Sequence, residues 1–518
     1  MSLFSFAFYG LACAALYHVF PKRLRWVLLL ICSYGFYAAK AARALPFILL
    51  TTLSTWLFAL LIGRMAARCK ETIRAGKATL SPEEKKHIRA ASKSRQRALF
   101  WAALLLNFGL LAVLKYTDDV RGLFGASPLG LLLPLGISFY TFQSMGYLID
   151  VYNGKYAPEK NPAKFALFVS FFPQLIQGPI GRYDQLAPQL TAPHAFKLEL
   201  LQRGGLLMLF GLFKKLVIAD RALPLVEAVF SAPEGMFGGA SVVVGVLFYS
   251  LQQYCDFSGG IDLVTGIAQL FGINLAPNFK RPYFAVSLGD FWRRWHISLG
   301  AWMRDYVFYP FALNKPVSRL SKAVKKPLGT AFSRALPAAL GNVLVFFLVG
   351  LWHGATANYI LWGLYNGVIL AFSALMEPAF KRMNARLPRL TASRGFYLFR
   401  ILRTFLIVNI GWFFDRCAHA SDALAMMKTV CTEPRLALLS QELSGLLLPA
   451  DWLVLGVSFA LLFVVSCLQE GGQDLSGRFI HLPLPVRWLL IIAAILAVLV
   501  FGVWGSGFSE ASFIYYQF

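Results

Sequence analysis

A chain of 518 residues in which 58% are hydrophobic and only 14% charged is not an ordinary soluble protein, where about a quarter of residues are charged. The formal charge of +25 has a topological explanation, because Lys and Arg accumulate in the cytoplasmic loops of membrane proteins. No zinc-finger spacing or aromatic RNP-like motif accompanies it, which excludes nucleic acid as a partner.

In chain order, the first twenty residues are apolar without a basic leader or a small-residue cleavage site, and are expected to be a retained span. Further apolar blocks fall near 26–39, 46–63, 98–114, 128–149, 165–180, 204–219, 240–255, 335–352, 357–376, 396–414, 452–468 and 487–505. A bilayer crossing needs roughly 20 apolar residues. The expectation is therefore an all-α polytopic membrane protein with about 11 transmembrane helices, plus re-entrant or interfacial helices buried in protein. The whole of 1–518 reads as one transmembrane domain, with neither an internal repeat nor a separate soluble part.

Orientation follows from the loops. Arg64 to Arg97 is strongly basic, with Glu71, Glu83 and Glu84 its only acids, and Lys315 to Arg334 carries six bases and no acid. Lys381 to Arg403 is basic again. Placing all three in the cytoplasm puts both termini and Asp415 to Asp451 outside. Gly178-Pro179, Pro277, Pro282 and Pro310 punctuate the middle of the chain, and helices broken at membrane depth border cavities rather than lipid.

Seven scattered cysteines contain no CxxC and give no disulfide framework. Only Cys417 and Cys431 share a loop that would face an oxidising side. No metal-ligand spacing, GxSxG, HExxH, Walker or GxGxxG motif is present. The pair Asp256 and Asp262 implies neither glycosidase nor metal geometry, and Lys214-Lys215 reads as a cytoplasmic helix end. His18, His87, His194, His419 and His481 read as structural.

Two stretches could carry chemistry. Ala335 to Met376 has no Asp, Glu, Lys or Arg, and its single histidine lies in Leu351-Trp352-His353-Gly354. This run is long enough for two spans joined by a tight connection, with His353 beside it. An imidazole there can take a proton from a hydroxyl near neutral pH. The second stretch is Asp290-Phe291-Trp292-Arg293-Arg294-Trp295-His296, continuing to Arg304-Asp305. If helical, it pairs Asp290 with Arg294 at i,i+4 and aligns His296, Gly300 and Arg304 on one face. Ionisable groups at such depth face a cavity; the competing reading is an interfacial helix with snorkelling arginines.

These motifs resemble the membrane-bound O-acyltransferase family (MBOAT), in particular its bacterial alginate O-acetyltransferase branch. The resemblance rests on Phe291 to Leu299, Trp302-Met303-Arg304-Asp305-Tyr306 and Trp352-His353-Gly354. It extends to Phe171-Phe172-Pro173-Gln174-Leu175 with Gly178-Pro179-Ile180, to Pro134 to Phe139, and to the ending Phe513-Ile514-Tyr515-Tyr516. It implies a ring of helices around a central tunnel, His353 as the catalytic histidine and His296 as a second functional histidine. Trp352, Trp295, Arg293, Arg294, Arg304, Asp305, Asp290, Asn342 and Gln174 are then candidates for lining the passage or binding substrate. The implied protein binds no metal or cofactor, and its donor substrate is acetyl-CoA or another acyl thioester. It resides in the bacterial inner membrane. The acyl group goes outward to a hydroxyl of an exported polysaccharide or to an extracytoplasmic partner acetyltransferase. D-alanylation of teichoic acid is the alternative within the family, and a polysaccharide or solute transporter the alternative outside it.

Overall fold

The computed structural model describes residues 3–505; the ending Phe513-Ile514-Tyr515-Tyr516 lies outside the described residues. Among these, helices build the fold, and the β-structure is an isolated bridge between Ser444 and Leu447. Seven stretches are long and apolar enough to cross a bilayer: Lys22–Ala75, Pro82–Gly122, Lys325–His353, Ala357–Arg386, Arg394–Arg416, Pro449–Glu470 and Leu484–Phe501. The first of them contains two helices, Arg25–Ala41 and Leu45–Ala75. In Leu484–Phe501 only Val498 is buried, while Leu489 and Val500 are each 67% exposed. A helix with its apolar surface turned outward is stable in hydrocarbon and not in water. The protein is a polytopic all-α membrane protein. Other apolar blocks form shorter helices; within 128–149, for example, the helix begins only at Ile137. All seven cysteines are free, with Cys417 buried and Cys431 exposed.

The described chain divides into two compact units, one comprising the residues up to Gly204 with Ile267–Ala276, the other Gly205–Gly266 and Pro277 onward. In the first, Leu45–Ala75 has 31 residues and is about 46 Å long at 1.5 Å per residue, more than a bilayer's hydrocarbon thickness. Its last turns, carrying Arg64, Arg68, Lys70 and Arg74, therefore project beyond the apolar part. The chain then reverses into Pro82–Leu123 through a capping box at Ser81. The Ser81 hydroxyl accepts from the Glu84 N–H at 3.2 Å, and the Glu84 carboxylate accepts from the Ser81 N–H at 2.7 Å. The basic segment 64–97 is thus a helical hairpin.

Two of the motifs meet in this unit. Gly136 has φ +69°, and a Cβ there would overlap the Leu175 carbonyl, so only glycine allows the approach. Gln174 donates to the Pro179 carbonyl at 2.8 Å, which closes the turn at Gly178-Pro179. His18 bonds the Leu270 carbonyl at 2.8 Å and His194 the Gln189 carbonyl at 2.7 Å, in keeping with structural roles.

The second unit holds the uncharged run as an antiparallel hairpin, Lys325–His353 and Ala357–Arg386. The two helices touch backbone to backbone. A Cβ on Gly363 would overlap the Phe346 carbonyl, and one on Gly350 the Tyr359 carbonyl. Small residues permit such approach where lipid supplies no hydrophobic drive for association. Gly363→Ala is expected to cost about 1–3 kcal/mol, because backbone atoms cannot move aside. The cost would appear as a lower thermal midpoint of the detergent-solubilised protein. Gly456→Ala, with nothing within 4 Å of the added carbon, should show no loss.

Lys214 and Lys215 correct their sequence reading as a cytoplasmic helix end. Both sit in a π-helical segment, Phe213–Ala219, and are 3% and 2% exposed. Gly211 lies against Gly259 so closely that a Cβ on either would meet the other's carbonyl. That contact brings the two ammonium groups onto the helix Gly239–Leu270. Lys214 reaches Asp262 at 2.7 Å and Ser258 at 2.8 Å; Lys215 reaches Asp220 at 2.7 Å and also pairs with Asp256. Buried charges persist when paired in this way.

Candidate functional site

The second unit contains a cavity of about 560 Å³ lined by His296 and His353. The helix Lys325–His353 supplies Asn342, Val345, Phe346, Val349 and His353, positions spaced three or four apart and so on one face. The helix ends at His353, and Gly354 continues in extended backbone. The His353 ring is 7% exposed. It lies between Tyr359, parallel at 5.7 Å, and Trp362, edge-on at 5.0 Å between ring centres. Aromatic contacts on several sides fix its orientation.

His296 is reached differently. The expected continuous helix does not form, although Asp290 and Arg294 do pair at 3.1 Å. Leu288–Arg294 stops, His296 takes φ +45° and ψ +53°, and Ile297–Met303 starts afresh. Gly300 and Arg304 are therefore not on a helical face shared with His296. The reason is Asn278, 1% exposed, which captures the new helix start. Its backbone carbonyl accepts from the Ile297 N–H at 3.0 Å. Its side-chain oxygen accepts from the Ser298 N–H at 3.0 Å and hydroxyl at 2.9 Å. Left-handed backbone at a non-glycine residue is uncommon and persists where surrounding contacts such as these hold it.

The same contacts settle the imidazole tautomer. Asn278 Oδ1 is identified as the carbonyl oxygen by the Ser298 donors, so His296 Nδ1, 3.2 Å away, carries the ring proton and Nε2 the lone pair. His296 lies outside the long apolar helices, and burial pushes its pKa down to about 3, leaving the ring neutral. Phe257 meets it edge-on at 4.9 Å, and Trp352 lies 6.1 Å away.

Of the residues singled out in the sequence, the cavity brings together His353, His296, Trp295, Arg293, Arg304 and Asn342. Trp352, Asp290, Arg294, Asp305 and Gln174 do not line it. Trp352 is packed between the two histidines instead. Arg294 binds Glu470 at 2.9 Å as well as Asp290, and Arg281 pairs with the same glutamate, so these charges hold the segment in place. Asp305 pairs with Arg304 at 2.9 Å. Gln174 belongs to the first unit and closes the turn described above.

The cavity is polar at two levels. Near one, the Arg304–Phe308 turn packs on Gly341, and Arg293 stands beside Leu370 across Gly289. Both arginine side chains are more than half exposed. Toward the other, Asn358 binds the Phe414 and Cys417 carbonyls at 3.3 and 3.0 Å, which sets Asp415 level with the His353 end of the hairpin. From Asn342 to His353 the helix rises about 16 Å. The cavity is thus lined by exposed arginines near Asn342 and by buried His353, Gln253 and Asp415 at the other level.

The profile of the MBOAT, membrane-bound O-acyltransferase family, matches residues 158–324. The chain is 31% identical to the "Probable alginate O-acetylase AlgI" of Azotobacter vinelandii, over 79% of this chain and 73% of that protein. The chain belongs to the membrane-bound O-acyltransferase family. It is also 33% identical to the peptidoglycan O-acetyltransferase of Helicobacter pylori over 63% of each chain. The teichoic acid D-alanyltransferase of Bacillus subtilis is 27% identical over 55% of this chain and 69% of its own.

As an O-acyltransferase the protein has polar groups at its cavity that the sequence did not single out. Asn278 orients His296, and Tyr249 and Gln253 hold Asp415, at 2.6 and 2.9 Å. Asn278 lies between Pro277 and Phe279 in a helix-poor stretch, which was the one local signal available; the other three sit inside long helices with none. Trp292, Trp362 and Trp412 complete an aromatic wall with Trp295.

Proposed function

We propose that this O-acyltransferase moves an acetyl group from acetyl-CoA in the cytoplasm to a hydroxyl of an exported cell-surface polysaccharide, or of a partner protein that passes it on. The observation that carries this reading is the cavity itself, with two histidines inside and two exposed arginines at its mouth. Arg293 and Arg304 suit an anionic, phosphate-bearing thioester, and they stand on the side of the basic segment Lys315 to Arg334. The inner membrane with both termini outside is the orientation that the basic loops favour. His353, at the end of the helix Lys325–His353, takes the proton of the acceptor hydroxyl. The oxygen attacks the thioester carbonyl, the C–S bond breaks, and the proton ends on the departing thiol. His296 Nε2, neutral and beside the path, is placed to receive a hydrogen bond from the substrate or the thiol.

Transfer of D-alanine to teichoic acid is a second reading, supported by the relatives of that name in Bacillus subtilis and Lacticaseibacillus rhamnosus. Proteoliposomes loaded with acetyl-labelled CoA and bathed in alginate oligosaccharide should place label on the sugar as an alkali-labile ester. Label delivered only from a D-alanyl carrier-protein thioester would favour the second reading. Passage of intact solute with no ester formed would overturn both and point to a transporter.

A further inference from the structure

One short helix of the second unit neither spans the membrane nor lines the cavity. Lys315–Ala323 has nine residues and is capped by Asn314, whose side-chain oxygen accepts from the Val317 N–H at 2.8 Å. At about 100° per residue its bases Lys315, Arg319 and Lys322 share one stripe roughly 60° wide, and Val317 and Leu320 fall on the other side. All three bases are exposed, and so are Lys325, Lys326 and Arg334 beyond them. Among the described residues none of the six is paired with a carboxylate, and the sequence has no Asp or Glu from Tyr306 to Met376. The apolar side is only partly covered. Val317 is buried, whereas Leu320 is 47% exposed, and Leu313 and Leu328, just beyond the two ends, are 78% and 54% exposed.

The helix is held at a defined level. Gly329, at φ +84°, turns the chain, and the Ser321 and Ser333 hydroxyls each donate to the other's backbone carbonyl, at 2.6 and 2.7 Å. Ser333 is two residues before Ala335, where the uncharged run of the span Lys325–His353 begins. Lys315–Ala323 is thereby tied to the edge of the hydrocarbon, the level of the lipid headgroups. Leucines left open at that boundary, with exposed bases beside them, present two needs at once. An acidic phospholipid meets both, with its acyl chains and its phosphodiester; a soluble anion or an acidic peptide meets only the second.

We propose that the face formed by Lys315, Arg319, Lys322 and Leu320 is a binding site for anionic phospholipid. A lipid seated there steadies the connection between the Arg304–Phe308 turn, whose Arg304 lines the cavity, and the hairpin that carries His353. The site depends neither on the acyl group carried nor on its acceptor, so it goes beyond the reading of function above.

The test uses the full-length protein in dodecyl maltoside, with lipid retention followed by native mass spectrometry during titration with phosphatidylglycerol or phosphatidylcholine. Three bases near a lipid surface are together worth about a hundredfold in affinity, so the tightest phosphatidylglycerol site should be at least about tenfold stronger than that for phosphatidylcholine. Lys315→Gln, Arg319→Gln and Lys322→Gln combined should bring the two lipids to within about threefold, while Lys315→Arg with Lys322→Arg should keep the preference. Leu320→Gln should weaken phosphatidylglycerol by about fivefold, from the lost contact with acyl chains. These side chains are exposed, so the thermal midpoint should stay within about 2 °C in each variant. Arg68→Gln, Arg74→Gln and Lys77→Gln combined, on the basic hairpin of the first unit, should leave the tightest site unchanged. A wild-type protein that retains both lipids equally overturns the proposal, as does a Gln triple variant at 315, 319 and 322 that keeps the preference. Binding that Leu320→Gln leaves intact and that excess inorganic phosphate or polyglutamate displaces would mark a soluble anion or an acidic peptide as the ligand, and would overturn it too.

Discussion

His353→Ala should lower acyl transfer by about 100- to 10,000-fold, the contribution typical of a positioned general base. The measurement is ester-linked label formed per amount of membrane-inserted protein, with insertion checked by detergent extraction and thermal midpoint. The substitution removes a ring that stacks on Tyr359 and meets Trp362 edge-on, so a modest loss of stability is expected beside the large loss of rate. His353→Gln fills more of the same space and cannot act as a base, so it should recover stability without recovering rate. Transfer within tenfold of wild type by either variant would remove His353 from the chemistry. The contacts that hold the hairpin, Gly350 and Gly363 against opposing backbone, do not depend on the imidazole. This is why rate and folding should separate.

Asp256→Ala is expected to be among the most destabilising single substitutions in the second unit. It removes one of the carboxylates paired with the Lys215 ammonium, which is 2% exposed. Breaking a buried ion pair by deleting one partner costs about 3–5 kcal/mol, because the remaining charge stays desolvated. The loss should appear as reduced yield of folded protein and a lower thermal midpoint. Asp262→Ala should cost less, since the Asp262 side chain is 22% exposed and Lys214 keeps its bond to Ser258. Combining Asp256→Leu with Lys215→Met removes both charges and should recover part of the stability. A double variant no better than Asp256→Ala alone would show that the charges serve more than each other.

His353 and Lys215 differ in how much of their setting the sequence shows. His353 could be picked out because it is the one histidine in a long run without Asp, Glu, Lys or Arg, and the helix does end there. The Asp290–Arg294 pair was legible too, because four residues of helix bring them together whatever the rest of the chain does. Lys214 and Lys215 misled. Two adjacent lysines beside an apolar block look like a helix end until Asp256 and Asp262, more than forty residues further along the chain, are seen paired with them.

By itself the sequence determined a polytopic helical membrane protein, the hairpin that ends at His353 and the membership its motifs announce. Those features are set by hydropathy, charge and local spacing, which act over one helix at a time. Only the tertiary structure decided that the segment around His296 breaks rather than continues, because Asn278, 18 residues earlier, takes the donors of the new helix. Only it decided that Arg293 and Arg304 face the cavity while Arg294 and Asp290 brace the segment. Asp415 was beyond reach for the same reason. Its partners lie more than 160 residues away, on another helix, and no local pattern can encode that pairing.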